Sequence, residues 1–157
     1  MLNLKKIKSI FCSKKKNREV VLIFPYNTKT KEVLVIQEYI HHYDRAIWKF
    51  VSGGIDKTGK DNLTHAEEEL AEEMGMESDN LYHFHSSEPI FGARIIHSYI
   101  AENSNLMQTP PKNPDTDIIT DTRWVNETQL QKMIDEKELV WNESAMVALQ
   151  VMRKYSK

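Results

Sequence analysis

The 157-residue chain has a single cysteine, Cys12, and no apolar run long enough to cross a bilayer. One thiol excludes a disulfide framework or a thiolate zinc cluster within one chain, and it fits a reducing cytoplasm. The formal net charge of −2 lacks the global positive field of a non-specific nucleic-acid binder. No internal repeat is present. Hydrophobic content is 40% and charged content 28%, ordinary for a globular protein. The length suits one domain with a sizeable core. Charge is unevenly spread. Residues 1–18 carry seven Lys or Arg and no acid, whereas the remainder holds 14 basic and 23 acidic residues. An acidic body suits a cation site better than a bare phosphate clamp. The basic arm places Leu2, Leu4, Ile7, Ile10 and Phe11 among lysines. Those lysines make it a poor signal peptide. It reads as a loose terminus or an added edge strand, with a membrane-surface arm as the functional alternative.

The stretch from Gly53 to Met76 reads GGIDKTGKDNLTHAEEELAEEMGM, a Gly-containing loop running into an acidic helix. Asp61 is placed to cap the helix N-terminus. Leu63, Ala66, Leu70 and Met74 form one apolar stripe, and Gly75 stands where a left-handed cap ends a helix. Glu69, Glu72 and Glu73 follow i, i+3, i+4 spacing, so their carboxylates share a face. Like charges so arranged repel by a few tenths of a kcal/mol. A hard divalent cation, Mg²⁺ or Mn²⁺, removes that penalty because it seeks oxygen ligands and phosphate partners. A solvated acidic face is the bland alternative, and the glycines at fixed offsets argue against it.

This stretch resembles the Nudix box, G-x5-E-x7-R-E-U-x-E-E-x-G-U with U apolar. Gly54 matches the first glycine, and Glu69, Leu70, Glu72, Glu73, Gly75 and Met76 match the end without a gap. Lys60 stands where the family has Glu, and Glu68 where it has Arg. Both changes invert a sign, so the loop-to-helix tie that the family makes is expected here as a reversed ion pair, Lys60 with Glu68. The family Arg also orients the first metal-binding Glu, which Glu68 cannot do. Reduced, altered or absent catalysis is thus one implication.

The rest of the chain fits the same resemblance. Strands are expected over 19–25, 32–39, 48–51, 81–88, 90–101 and 117–125. Residues 102–116 carry three prolines and read as a long loop. Asn126 should cap a helix to about Glu136, and Asn142 or Ser144 should open the last helix, with Ala145, Leu149 and Met152 facing inward. VLVIQEYIHHYDRAIWKFVSGGID and DTRWV are similar to the flanks of the box in ADP-ribose pyrophosphatase-like Nudix proteins. Tyr39, Trp48, Gly53 and Gly54 match that pattern, while Ile40, Lys49 and Val51 replace its Arg, Glu and Pro. The resemblance implies an α/β (α+β) fold, a Nudix α/β/α sandwich around a mixed sheet, with 1–18 as an arm and 19–157 as one domain.

By resemblance, Glu69 and Glu73 are direct ligands of Mg²⁺ or Mn²⁺, Glu72 is a ligand or activates water, and the Gly53 carbonyl completes the shell. Glu69, Glu72 and Glu73 are therefore the candidate catalytic residues. Tyr39, Trp48 and Arg94 are the candidate substrate contacts, against core packing for the aromatics and an exposed strand charge for Arg94. Glu102, Asp115 and Asp117 are candidates for a further acid after the box. His83 and His85 read as packed or solvated histidines rather than a metal pair. The implied activity is metal-dependent hydrolysis of a diphosphate linkage in a nucleoside diphosphate derivative, such as ADP-ribose or a nucleotide sugar. The alternatives are a nucleoside triphosphate pyrophosphohydrolase and a catalytically weak nucleotide sensor. The subgroup suggests a homodimer; no stable nucleic-acid partner is expected.

Overall fold

A computed structural model describes residues 19–55, 59–87, 94–112 and 118–155, apart from the Asn142 side chain. The N-terminal arm, and with it Cys12, lies outside the described residues. The elements run β1 (Glu19–Asn27), β2 (Glu32–Ile40), a 3-10 turn (His41–Tyr43), β3 (Arg45–Lys49), β4 (Val51–Gly54), α1 (Asn62–Met74), β5 (Met76–Glu77) and β6 (Asn80–Ser86). They continue with β7 (Ile95–Glu102), β8 (Asn105–Leu106), β9 (Ile118–Val125), α2 (Glu127–Asp135) and α3 (Asn142–Tyr155).

Seven strands form a mixed sheet along the path β3-β2-β1-β7-β6, with β4 added to β1 and β9 to β2. β1 and β7 are parallel, and every other pairing within that sheet is antiparallel. β1 pairs with β2 only at Tyr26↔Val33 and Asn27↔Glu32 before the two diverge, which leaves its first half free to pair with β4.

The apolar runs of β1 and β2 are buried on both faces, which is why they read as continuous rather than alternating. Val21, Ile23, Leu34, Ile36, Val51, Tyr99 and Ala101 pack with Ala66 and Leu70 of α1. The intervening residues Leu22, Phe24, Tyr26, Val33 and Val35 face the opposite way, onto Leu130 and Met133 of α2 and Ala145, Ala148, Val151 and Met152 of α3. This is the expected three-layer α/β/α arrangement.

Several local expectations change. The single strand over 48–51 is two strands broken at Phe50, so that β3 pairs with β2 and β4 turns to β1. The long loop contains β8, which pairs with β5 beside the end of α1. The first part of the expected 90–101 strand lies outside the described residues, and β7 begins at Ile95. Within α1, Leu63 is 37% exposed, whereas His65, Ala66 and Leu70 are buried. The buried face is therefore rotated from the apolar stripe.

Candidate active site

α1 begins at Asp61, whose side chain accepts a hydrogen bond from the Thr64 N–H at 2.8 Å. That bond holds the Asp61 carboxyl below its ordinary value, because it favours the charged form. The helix ends at Gly75, with φ of 59° and its N–H donating to the Ala71 carbonyl at 2.9 Å. Both ends are thereby fixed, and so is the direction of the acidic face.

That face lies against the end of β4. Gly53 pairs with Val21 and Gly54 with Val20. A Cβ added at Gly53 would overlap the Glu69 carboxyl group, so the absence of a side chain is what lets this carboxylate approach the strand. No comparable contact surrounds Gly54.

Strand alternation supplies the next charge. Lys49 of β3 stands opposite Ile36 of β2, so it points to the α1 face, and Glu38 follows Ile36 by one alternation on the same face. The Lys49 ammonium forms an ion pair with Glu38 and lies 3.6 Å from Oε1 of Glu73 on α1. The three side chains are only 6%, 7% and 4% exposed. Two carboxylates therefore flank one ammonium in a water-poor pocket. On the outer side, Lys60 forms an ion pair with Glu68, 37% and 29% exposed. The loop and the helix are tied by the reversed charges.

Among the described residues, no group of three or more His, Cys, Asp or Glu is gathered as a metal cluster. Glu73 faces the ammonium of Lys49. The donor types nevertheless suit a hard divalent cation. All are oxygens, and the Glu69 carboxylate already abuts the Gly53 backbone.

The NUDIX domain model matches residues 16–148. The chain belongs to the Nudix family of hydrolases. Its fold is similar to that of an ADP compounds hydrolase, with a TM-score of 0.70 and 18% identity over 90% of this chain and 74% of that one. It is also similar to a MutT structure from the Aliivibrio salmonicida and Vibrio cholerae pair, with a TM-score of 0.64 and 16% identity over 88% and 99% of the two chains. No curated protein sequence matches significantly. Nudix hydrolases generally use divalent metal ions. Among the described residues no helix is long and apolar enough to cross a membrane.

Other expected residues fall in different parts of this Nudix domain. Trp48 is buried in the core under α2 and α3, opposite the Nudix helix, with the Arg123 guanidinium 4.5 Å above its ring. Its expected role as a substrate contact gives way to packing, because it precedes Lys49 and strand alternation turns it to the other face. Tyr39 stays partly exposed at the end of β2 and donates a hydrogen bond to Asp44. That bond pushes its phenol above the ordinary value. Arg94 is exposed next to Ile95, which pairs with Glu19 at the same sheet end as Gly54.

Glu102 is placed elsewhere. It pairs with Tyr26, six residues along β1 from the Val20–Gly54 pairing, or about 20 Å at strand rise. There it accepts hydrogen bonds from Tyr155, from Tyr82 at 3.1 Å and from Asn80 at 2.6 Å. Asp115 and Asp117 lie outside the described residues. His83 and His85 are separated by a bulge and do not pair. His83 instead contacts Ser86 at 2.7 Å, which contacts His97 at 2.9 Å, which contacts Glu19 at 3.0 Å. Neither His97 nor Glu38 carried any sequence signal of its own; a strand register was needed to see them.

Proposed function

We propose that this Nudix domain hydrolyses the diphosphate linkage of a nucleoside diphosphate derivative, ADP-ribose or a nucleotide sugar, with Mg²⁺ or Mn²⁺ as cofactor. The observation that carries this reading is the seating of the Glu69 carboxylate on the Gly53 backbone, beside the buried Glu73. Glu69, Glu72, Glu73 and the Gly53 carbonyl would hold the cation. When bound, the ion neutralises charge on the diphosphate oxygens and makes water a better nucleophile. Glu72, as ligand or as base, would take the proton that the attacking water must lose. Water adds to one phosphorus, and the bond from that phosphorus to the bridging oxygen breaks. The products are a nucleoside monophosphate and a second phosphomonoester. Arg94, exposed at the same end of the sheet, is the candidate contact for the second phosphate.

The choice of a diphosphate rests on the flanking strand patterns and agrees with the ADP compounds named for one structural neighbour. The same subgroup resemblance supports a homodimer, and the single cysteine supports a cytoplasmic location. The test is a kinetic comparison of ADP-ribose, nucleotide sugars and nucleoside triphosphates with Mg²⁺ and with Mn²⁺, following phosphomonoester or inorganic pyrophosphate release. We expect the highest kcat/KM for an ADP-ribose-like compound. A clear triphosphate preference would move the assignment to the MutT-like alternative, and absence of turnover with retained nucleotide binding would move it to a sensor.

A further inference from the structure

Lys49 introduces a charge that the Nudix box does not account for. Its ammonium sits between Glu38 and Glu73, and all three side chains are almost wholly buried. Glu73 belongs to the acidic face of α1, so a positive charge is built into the cation site itself. We propose that Lys49 is a resident cation of the site that shares Glu73 with the divalent ion and thereby sets the affinity for that ion. This inference rests on the reading of Glu69, Glu72, Glu73 and the Gly53 carbonyl as the donor set.

The argument is one of charge and place. A carboxylate paired with an ammonium at 3.6 Å has part of its field already neutralised. A divalent ion brought to the same carboxylate meets repulsion from the ammonium in a medium that screens poorly. Glu38 holds Lys49 in position from the strand side, because Glu38 and Lys49 share a face of adjacent strands. The ammonium cannot swing into solvent without leaving Glu38 buried beside Glu73 with no cation between them, a costly arrangement. Lys49 is thus a positioning residue acting through Glu73, with no contact to the reacting atoms required of it.

The experiment is a Mn²⁺ titration of the substrate-free protein, reading free Mn²⁺ by electron paramagnetic resonance. The wild type, Lys49→Met and Lys132→Met would be compared. Lys132→Met removes an exposed positive charge on α2 and controls for net charge. We expect Lys49→Met to bind Mn²⁺ roughly tenfold more tightly or more, with Lys132→Met unchanged. Should Lys49→Met fail to fold, the pair Lys49→Met with Glu38→Gln removes both partners and leaves no lone charge between the strands. It should tighten in the same direction but by less, because the Glu38 charge is lost together with the ammonium. Wild-type binding with an unchanged or weaker isotherm in the Lys49 variants would overturn this inference and leave the metal reading standing. Absence of Mn²⁺ binding in every protein would overturn both.

Discussion

At Gly53 a single methyl group is enough to disturb the site. An alanine Cβ there would occupy space now filled by the Glu69 carboxyl group, and the side chain of Glu69 is long enough to move away at little cost to the fold. Gly53→Ala should therefore leave thermal stability nearly unchanged while lowering Mg²⁺-dependent kcat by about 10²-fold, the usual consequence of misplacing a catalytic group by about 1 Å. An unchanged kcat would separate Glu69 from the chemistry. Glu73→Gln tests the other end of the acidic face. The amide keeps the volume and loses the charge, and Lys49 retains Glu38 as its partner, so the fold should survive. Turnover should fall by at least about 10²-fold; full activity would withdraw Glu73 from the donor set. The glycine and the glutamates were legible because their spacing is local to one loop and one helix. Lys49 was visible only as a departure at a strand position. That it meets Glu38 and Glu73 depends on strand register and helix docking, which no local spacing encodes.

The elements show where local rules suffice and where packing overrides them. Asp61 and Gly75 end α1 where capping chemistry demands it, and Asn126 opens α2 with a full capping box, its side chain accepting from Gln129 N–H at 3.0 Å and Gln129 answering at 2.9 Å. Hydrophobic spacing was a poorer guide to the buried side of α1. It chose Leu63, but His65 is buried instead. The β5–β8 pair carried no pattern because two residues cannot show alternation. The Lys60–Glu68 pair belongs to this scale, since it ties the loop after β4 to the helix. Both side chains are substantially exposed, so screening keeps either single reversal to roughly 0–1 kcal/mol. Lys60→Glu together with Glu68→Arg should restore the wild-type melting temperature more closely than either single change. It should also raise kcat, because an Arg would again stand next to Glu69. Additive melting shifts across the four proteins would dismiss the coupling. A kcat unchanged in the double variant would show that Glu68 does not limit the reaction.

Across the whole molecule, α1 with its site covers one face of the sheet, and α2 with α3 covers the other. The last helix is fastened at the sheet end remote from Gly54. Tyr155 of α3 donates to Glu102 of β7 and lies against Tyr82 of β6, and Lys154 donates to the Tyr82 hydroxyl at 3.1 Å. Burial alone would push the Glu102 carboxyl up. Hydrogen bonds from Tyr155, Asn80 and Tyr82 and the charge of Lys154 outweigh it and hold the carboxyl below its ordinary value. The Tyr155 hydroxyl moves the opposite way, raised by burial and then by its bond to Glu102. A carboxyl with a lowered folded-state value stabilises the fold above its unfolded value, and that contribution disappears as pH falls through the folded value. Glu102→Gln should therefore melt below the wild type at pH 7, and the gap should close as the pH is taken down through the acid range. Tyr155→Phe should lose about 1–2 kcal/mol at neutral pH by removing a donor to a charged acceptor. Because Glu102 lies about 20 Å from Gly54 along β1, neither change should alter the Mn²⁺ isotherm. Parallel melting curves for Glu102→Gln and wild type at all pH values would show that the network does not fasten α3. A shifted Mn²⁺ isotherm would instead return Glu102 to the cation site.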